Sequence, residues 1–293
     1  MKKKILVIGS DGYLGNYLIS SFEKESYIVD KFDINPRFHG TKKLDVKNTN
    51  EVVKILKNNF YDVVICLVGV LPGTFKKKLI YKENLSAVLF LKEHCLESHF
   101  IFCSSTAIYS NKKFDKEVVE GPFEVYGKSK LDCEGIIKQN IKSYTIFRIG
   151  TMLSKDRSGG IMGLLNRLQN NSLMWLPNGG KATHPFIDVR DVVKAIKFAC
   201  DEKPEGIFDL IANNRSTLKN IAEDLNPKIK IINIKLLDFI IKFFGSDNFP
   251  IFGISRWHFN ALKYDLPVSR EENYWKHTQL GIMKEVVKKS ISK

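Results

Sequence analysis

Arginine, paired cysteines and long apolar runs are all scarce in this chain of 293 residues. Only 8 of its 46 basic residues are Arg, the rest being Lys. Proteins that read bases and phosphates lean on the bidentate Arg fork. A formal net charge of +14 therefore does not mark a nucleic-acid-binding protein here. The lysines are scattered, with short clusters only at residues 2–4 and 76–78, as solvated faces require. The five cysteines (Cys66, Cys95, Cys103, Cys133, Cys200) are odd in number and contain no C-x-x-C pair. That excludes a disulfide framework and a structural thiolate metal site, and it points to a reducing, cytoplasmic location. Cys66 and Cys103 fall in apolar runs, where a free thiol acts as a small hydrophobe. The apolar run 5–8 stops at Gly9, too short for a signal peptide. Residues 231–244 are broken by Lys235, Asp238 and Lys242, which excludes stable membrane insertion. That stretch reads as a helix packed in the C-terminal part. Internal repeats and low-complexity linkers are also missing.

What is present is an ordinary globular composition, 44% apolar and 27% charged. The length suits one large or two modest domains with a core that needs no staple. Short apolar runs alternate with helical patterns through the first half. Strands are predicted at 4–8, 27–32, 44–46, 62–68, 100–104 and 144–149. Helices are predicted from the first glycine turn to about residue 25, then at 49–59, 84–97 and 126–139. Strands separated by helix-length segments imply right-handed βαβ units and a parallel sheet covered on both faces. Beyond Gly150 the rhythm loosens, with helices at 161–168, 189–199 and 218–225 and strands at 186–187 and 207–211. Residues 1–150 then form a nucleotide-binding α/β domain. Residues 151–293 form mainly a smaller cap, with segments near 185–212 returning to the sheet.

The strongest local signal is Gly9-Ser-Asp-Gly12-Tyr13-Leu14-Gly15, directly after a strand and opening a helix. Glycines are required where the chain turns sharply and where a pyrophosphate must approach backbone N–H groups. The helix that follows offers free N–H groups and a positive dipole end. Asp33 closes the second strand about 20 residues on, where a carboxylate accepts hydrogen bonds from an adenosine ribose and repels a 2′-phosphate. NAD is therefore expected ahead of NADP, with Arg37 nearby tempering that preference.

The pattern Y-x-x-x-K occurs three times, at Tyr27/Lys31, Tyr109/Lys113 and Tyr126/Lys130, and so means little by itself. Only Tyr126 opens a helical segment, which makes Tyr126 and Lys130 neighbours on one face. A cation beside a phenol favours its ionised form and makes it a usable proton donor or acceptor. Ser104, Ser105 and Thr106 close a strand at the carboxyl edge, where open α/β sheets bind ligands. A hydroxyl there serves either a substrate oxygen or a turn cap.

Taken in order, Gly9-x-x-Gly12-x-x-Gly15, Asp33, Leu44-Asp45-Val46, Asp62-Val63-Val64-Ile65, Asn84, the run from Ser104 to Tyr109, and Tyr126-x-x-x-Lys130 resemble the extended short-chain dehydrogenases. These form the NAD-dependent epimerase/dehydratase family. The run from Phe186 to Val192 and Leu280-Gly281-Ile282 look like its later motifs. The resemblance covers residues 4–225 well and the tail weakly. It implies a Rossmann-type doubly wound parallel sheet with a small C-terminal substrate-binding cap. It also implies a nucleotide-sugar substrate and homodimerisation, which is common in the family.

Carried over by position, Ser105 orients the substrate oxygen and Tyr126 is the acid/base. Lys130 holds the nicotinamide ribose. Asp45 and Val46 lie near the adenine, Val68 and Gly69 line the cofactor, and Asn84 is a helix residue near the active site. Thr106 and Ala107 stand where dehydratases of the family usually carry Asp-Glu, which argues against dehydration. An NAD-dependent nucleotide-sugar epimerase is slightly preferred. The short chain suits an NAD(P)H-dependent 4-ketoreductase, and a non-catalytic cofactor sensor or scaffold is the third alternative. Arg157, Arg167, Lys181, Arg215 and Arg256 are candidates for a substrate diphosphate, and His184 reads as a cap loop residue.

Overall fold

The computed structural model of the protein describes residues 2–23, 25–57, 59–70, 77–93, 97–109, 125–156, 160–234, 262–263, 265 and 274–291. The first half runs β1 (Lys4–Ile8), α1 (Tyr13–Phe22), β2 (Ile28–Asp33), β3 (Lys42–Lys43), α2 (Thr49–Lys57) and β4 (Val63–Cys66). It continues with α3 (Lys77–Lys92), β5 (His99–Ser105), a 3-10 turn (Thr106–Ile108), α4 (Val125–Asn140) and β6 (Tyr144–Ile149). The second half runs β7 (Thr151–Leu153), α5 (Ile161–Asn170), β8 (Leu173–Leu176), β9 (Phe186–Asp188), α6 (Val189–Glu202) and β10 (Gly206–Leu210). After these come α7 (Leu218–Leu225), β11 (Lys230–Asn233) and α8 (Met283–Ile291).

The central sheet has seven strands in the order β10-β6-β5-β4-β1-β2-β3, every pair parallel. Six of them follow the doubly wound order, with the strand sequence reversing between β1 and β4. Strands β1 and β4 are almost wholly apolar because helices cover both faces. Alternation then divides the side chains. Ile5, Val7, Val63, Ile65, Ile101 and Phe147 pack with Leu14 and Leu18 of α1 and Val192 and Ile196 of α6. Leu6, Ile8, Val64, Cys66, Phe100 and Phe102 pack with Val52 of α2, Val88 and Leu91 of α3, and Cys133 and Ile137 of α4. The sheet is thus Rossmann-type, as its sequence pattern implies.

A third core gathers α5, α7 and α8 around Leu165, Leu168, Phe186, Leu218, Ile221, Met283 and Val286. Two short parallel pairs, β7–β9 and β8–β11, support it. The four described cysteines are free and buried. No described helix is long and apolar enough to cross a membrane.

Several elements differ from the sequence reading. The third strand is Lys42–Lys43, and Leu44 and Val46 are buried without belonging to a strand. Asp45 diverts the chain there, its carbonyl accepting from Asn48 N (2.8 Å) and its carboxylate from Lys47 N (3.0 Å). Helix α3 starts seven residues earlier than expected, because the polar Asn84 faces inward instead of marking a beginning. Residues 230–233 form a strand on β8 rather than the start of a helix. Residues 235–244, the rest of that expected helix, lie outside the described residues.

His99, at the buried start of β5, bears on stability. Its Nδ1 meets Ser143 Oγ at 2.8 Å and its Nε2 meets Thr145 Oγ1 at 2.9 Å. Thr145 gives its own proton to the Pro204 carbonyl, so Nε2–H donates and Nδ1 accepts from Ser143. Burial, helped by the Lys203 cation, pushes the imidazole down to about 4. His184 is held down to about 4 by burial against the opposing pull of Asp265. Both rings favour the neutral folded state, while unfolded histidines titrate near 6.5. Their stabilisation is therefore complete above pH 6.5 and drains away as the pH falls toward 4. It amounts to roughly 3 kcal/mol for each ring. Denaturant melts between pH 4 and 8 should show this slope, with His99→Gln losing its share. A stability that stayed flat from pH 7 to 5 would contradict it.

Candidate active site

The loop between β1 and α1 is shaped by its glycines. Gly9 has φ +86°, a conformation that a side chain strains, and its N–H and that of Ser10 both donate to the Phe32 carbonyl. A Cβ on Gly15 would sit 2.6 Å from the Gly9 carbonyl oxygen and closer still to that of Ser10, so only glycine lets α1 start against the loop. Gly12 caps α1 with no side-chain hydrogen bond, and the first turn carries no acidic residue. Its positive end is therefore uncompensated, which suits a pyrophosphate. Tyr13 turns its hydroxyl to Ser154 Oγ (2.6 Å), and Leu14 is buried in the core, so only its backbone can serve a ligand at the loop. Gly15→Ala is expected to weaken dinucleotide binding at least tenfold, measured by quenching of protein fluorescence. Unchanged affinity would show that the loop tolerates being pushed open.

Asp33 ends β2 beside this loop. One carboxylate oxygen accepts from Asp11 N (3.1 Å) and the other from Asn35 N (3.0 Å). A carboxylate has about four lone-pair positions, so capacity for a ribose hydroxyl remains. Arg37 points its guanidinium at the Asp11 carbonyl. Asp45 is engaged in its own turn and with Lys47, whose ammonium also reaches Glu83. Val46 is a core residue.

Across the sheet, Tyr126 lies in the first turn of α4 with Lys130 one turn on. The Lys130 ammonium is 6.0 Å from the Tyr126 ring centre and 4.7 Å from that of Phe102. The ammonium donates to the carbonyls of Cys103 (2.9 Å) and Val68 (3.4 Å), at the carboxyl ends of β5 and β4. A Cβ on Gly69 would come within 3.2 Å of this nitrogen, so glycine is what lets it approach. Lys130 is 3% exposed, and what holds its charge is peptide carbonyls. Ser105 caps the 3-10 turn, its Oγ accepting from Ala107 N (3.2 Å). The hydroxyl thus fills the capping role, and its proton remains to be donated.

Asn84, expected near the active site, holds α4 in place together with Ser129, Glu134 and Arg148, to which sequence reasoning gave no role. Asn84, 1% exposed, accepts from Val70 N (2.7 Å) and donates to Ser129 Oγ (3.0 Å), whose hydroxyl donates to the Tyr126 carbonyl (2.7 Å). It therefore joins the Val68–Gly69–Val70 segment to the helix that bears Tyr126. Below it, Ser104 donates to Glu134, and Arg148 pairs with Glu134 (2.7 Å) and with the Tyr109 hydroxyl (2.8 Å). Tyr109 in turn donates to Asp209 (2.8 Å). The one visible signal was Arg148, a charge inside the apolar strand β6.

A family model fits this arrangement. Residues 5–210 match the NAD-dependent epimerase/dehydratase family. The chain belongs to that family. It is 25% identical over 181 residues to UDP-glucose 4-epimerase of Lactobacillus helveticus, 54% of each protein. It spans between half and three fifths of the length of the curated relatives it matches. Among solved structures it resembles Thermus thermophilus UDP-glucose 4-epimerase in complex with NAD. That likeness has a TM-score of 0.63 and 16% identity, over 79% of this chain and 86% of that one. It also resembles dTDP-4-dehydrorhamnose reductase of Bacillus anthracis in complex with NADP. Here the TM-score is 0.72 and the identity 15%, over 99% of both chains. At these identities the structural likeness carries the extended short-chain dehydrogenase fold alone.

Other sequence candidates do not gather here. Arg167, Lys181 and Arg215 are exposed, while Arg157 and Arg256 lie outside the described residues. His184 lies in the loop before β9, where it is buried and stacks on Phe186.

Proposed function

We propose that this member of the epimerase/dehydratase family is an NAD-dependent nucleotide-sugar epimerase acting through a keto-sugar. The observation that carries the reading is the Tyr126–Lys130 pair. It is anchored at the carboxyl ends of β4 and β5, on the same sheet edge as the glycine loop and Asp33. That edge is where open α/β sheets receive a dinucleotide.

Gly9, Gly12 and Gly15 form a cradle that side chains would fill, so they suit a pyrophosphate. Asp33 suits the adenosine ribose, and Lys130, with Val68 and Gly69, suits the nicotinamide ribose. Bound NAD supplies the hydride acceptor and donor. Tyr126 takes the proton from a sugar hydroxyl and returns it, with the Lys130 ammonium one turn away on the same helix. Ser105 donates its proton to the same sugar oxygen and fixes its direction. The epimerase label in the curated relative and the Asp33 carboxylate support an NAD-retaining enzyme. Four free, buried cysteines support a cytoplasmic setting.

An NAD(P)H-dependent nucleotide-sugar 4-ketoreductase is the second reading. It is favoured by the match over 99% of both chains to the dTDP-4-dehydrorhamnose reductase. Denaturing the purified protein and identifying the released cofactor by mass spectrometry separates the two. Tightly held NAD supports the epimerase. An empty site that consumes NAD(P)H in proportion to product supports the reductase. No dinucleotide binding and no turnover on any nucleotide hexose would defeat both.

A further inference from the structure

We infer that Asp11 is a specificity-determining residue, which sets the adenosine end of the cofactor site for NAD by pinning the segment after β2 onto the glycine loop. The inference rests on the proposal that a dinucleotide occupies this site.

Asp11 is an unexpected residue for an anion-binding loop. It is 2% exposed, and burial alone penalises its charged form. Its carboxyl is nevertheless held below the usual range, since the hydrogen bonds it accepts outweigh desolvation. Those bonds come from Arg37 N, Phe38 N (3.0 Å), Thr41 Oγ1 (2.7 Å) and Ser10 Oγ (3.2 Å). Three of the four donors lie beyond the end of β2. Two further bonds use the Asp11 backbone, its N–H donating to Asp33 and its carbonyl accepting from the Arg37 guanidinium. One residue therefore ties together the glycine loop, Asp33 and residues 37–41.

The consequences for a ligand follow from charge. The Asp33 carboxylate is held by the Asp11 N–H, which fixes where a ribose hydroxyl would find an acceptor. A 2′-phosphate would meet the fixed Asp33 carboxylate, with the buried Asp11 carboxylate behind the loop. It would also need a cation, and Arg37 is already directed to the Asp11 carbonyl. The same contacts that order the ribose acceptor thus withhold the arginine that NADP would need.

The test is equilibrium binding of NAD⁺ and NADP⁺ to the purified full chain, by calorimetry. Asp11→Ala is expected to lower the preference for NAD⁺ over NADP⁺ at least tenfold. Most of that change should be weakened NAD⁺ binding. Thr41→Val should move the preference the same way by a smaller factor, and it decides the matter if Asp11→Ala does not fold. Adding Arg37→Ala to Asp11→Ala should remove any gain in NADP⁺ binding. An unchanged preference, or equal weakening of both dinucleotides with a lowered melting temperature, would overturn the inference and reduce Asp11 to a structural role. Failure of the wild-type chain to bind either dinucleotide would instead defeat the functional proposal beneath it.

Discussion

Tyr126→Phe is expected to lower turnover by about 10²- to 10⁴-fold while leaving dinucleotide affinity nearly unchanged. The substitution removes one oxygen and keeps the ring. The Ser129 hydroxyl still finds the carbonyl of residue 126, and Lys130 still reaches Val68 and Cys103. Only the proton-transfer group is lost. Lys130→Met should behave differently, losing turnover and cofactor affinity together, because its ammonium also bridges two strand ends. Steady-state rates on a nucleotide hexose, with dinucleotide binding measured on the same samples, distinguish the two variants. Wild-type turnover in Tyr126→Phe would remove Tyr126 from the chemistry, whereas dinucleotide binding with no turnover in either protein would favour the sensor alternative.

The largest stability effect is expected at Glu134. Its carboxylate accepts three hydrogen bonds from Arg148 and one from Ser104, and the two charged side chains are 2% and 3% exposed. Burial works against the Arg148 cation, and the Glu134 carboxylate more than offsets it, raising the guanidinium above its ordinary pKa. Glu134→Ala removes the carboxylate that pairs with this buried cation and is expected to cost about 3–5 kcal/mol. Replacing both partners with Glu134→Met and Arg148→Leu should cost much less than the sum of the single changes, because no buried charge is then left alone. Denaturant titration of the four proteins measures this. Additive losses would show that the pair is not coupled. Because Glu134 sits one turn beyond Lys130 on α4, the single variant should also impair turnover in proportion to its structural damage.

How much of this was legible beforehand depended on how local the causes were. The alternation of strand and helix, the glycine turn and the Tyr126–Lys130 face all follow from spacings within a few residues. The structure places those elements where the pattern put them. Strand β3 was misplaced because the Asp45 turn competes with the apolar residues on either side. The start of α3 was missed because an inward-facing Asn84 looks like a boundary on paper. Strands β8 and β11 pair across more than fifty residues, and β8 has no alternation that would announce a strand. Apart from the charge of Arg148 in an apolar strand, the polar chain through Ser104, Glu134, Tyr109 and Asp209 was invisible for the same reason. Its members lie on separate elements and meet only once the sheet is assembled. Asp11 occupies an unspecified position between two glycines of the motif, and the path of residues 37–41 gives it most of its partners.

The position of β10 has a consequence for how the chain is assembled. This strand pairs with β6, yet β7, α5, β8, β9 and α6 lie between them in the sequence. Trp275, farther on still, donates to the Asp209 carbonyl and packs its ring against Phe147 and Phe208. A nascent chain that has emerged only through β6 therefore carries an open parallel edge and an uncovered aromatic core. Both invite aggregation. The central sheet cannot complete itself ahead of the elements that follow β6. β10 arrives only after β7, α5, β8, β9 and α6, and the covering Trp275 only after α7 and β11, so the sheet and the third core mature together.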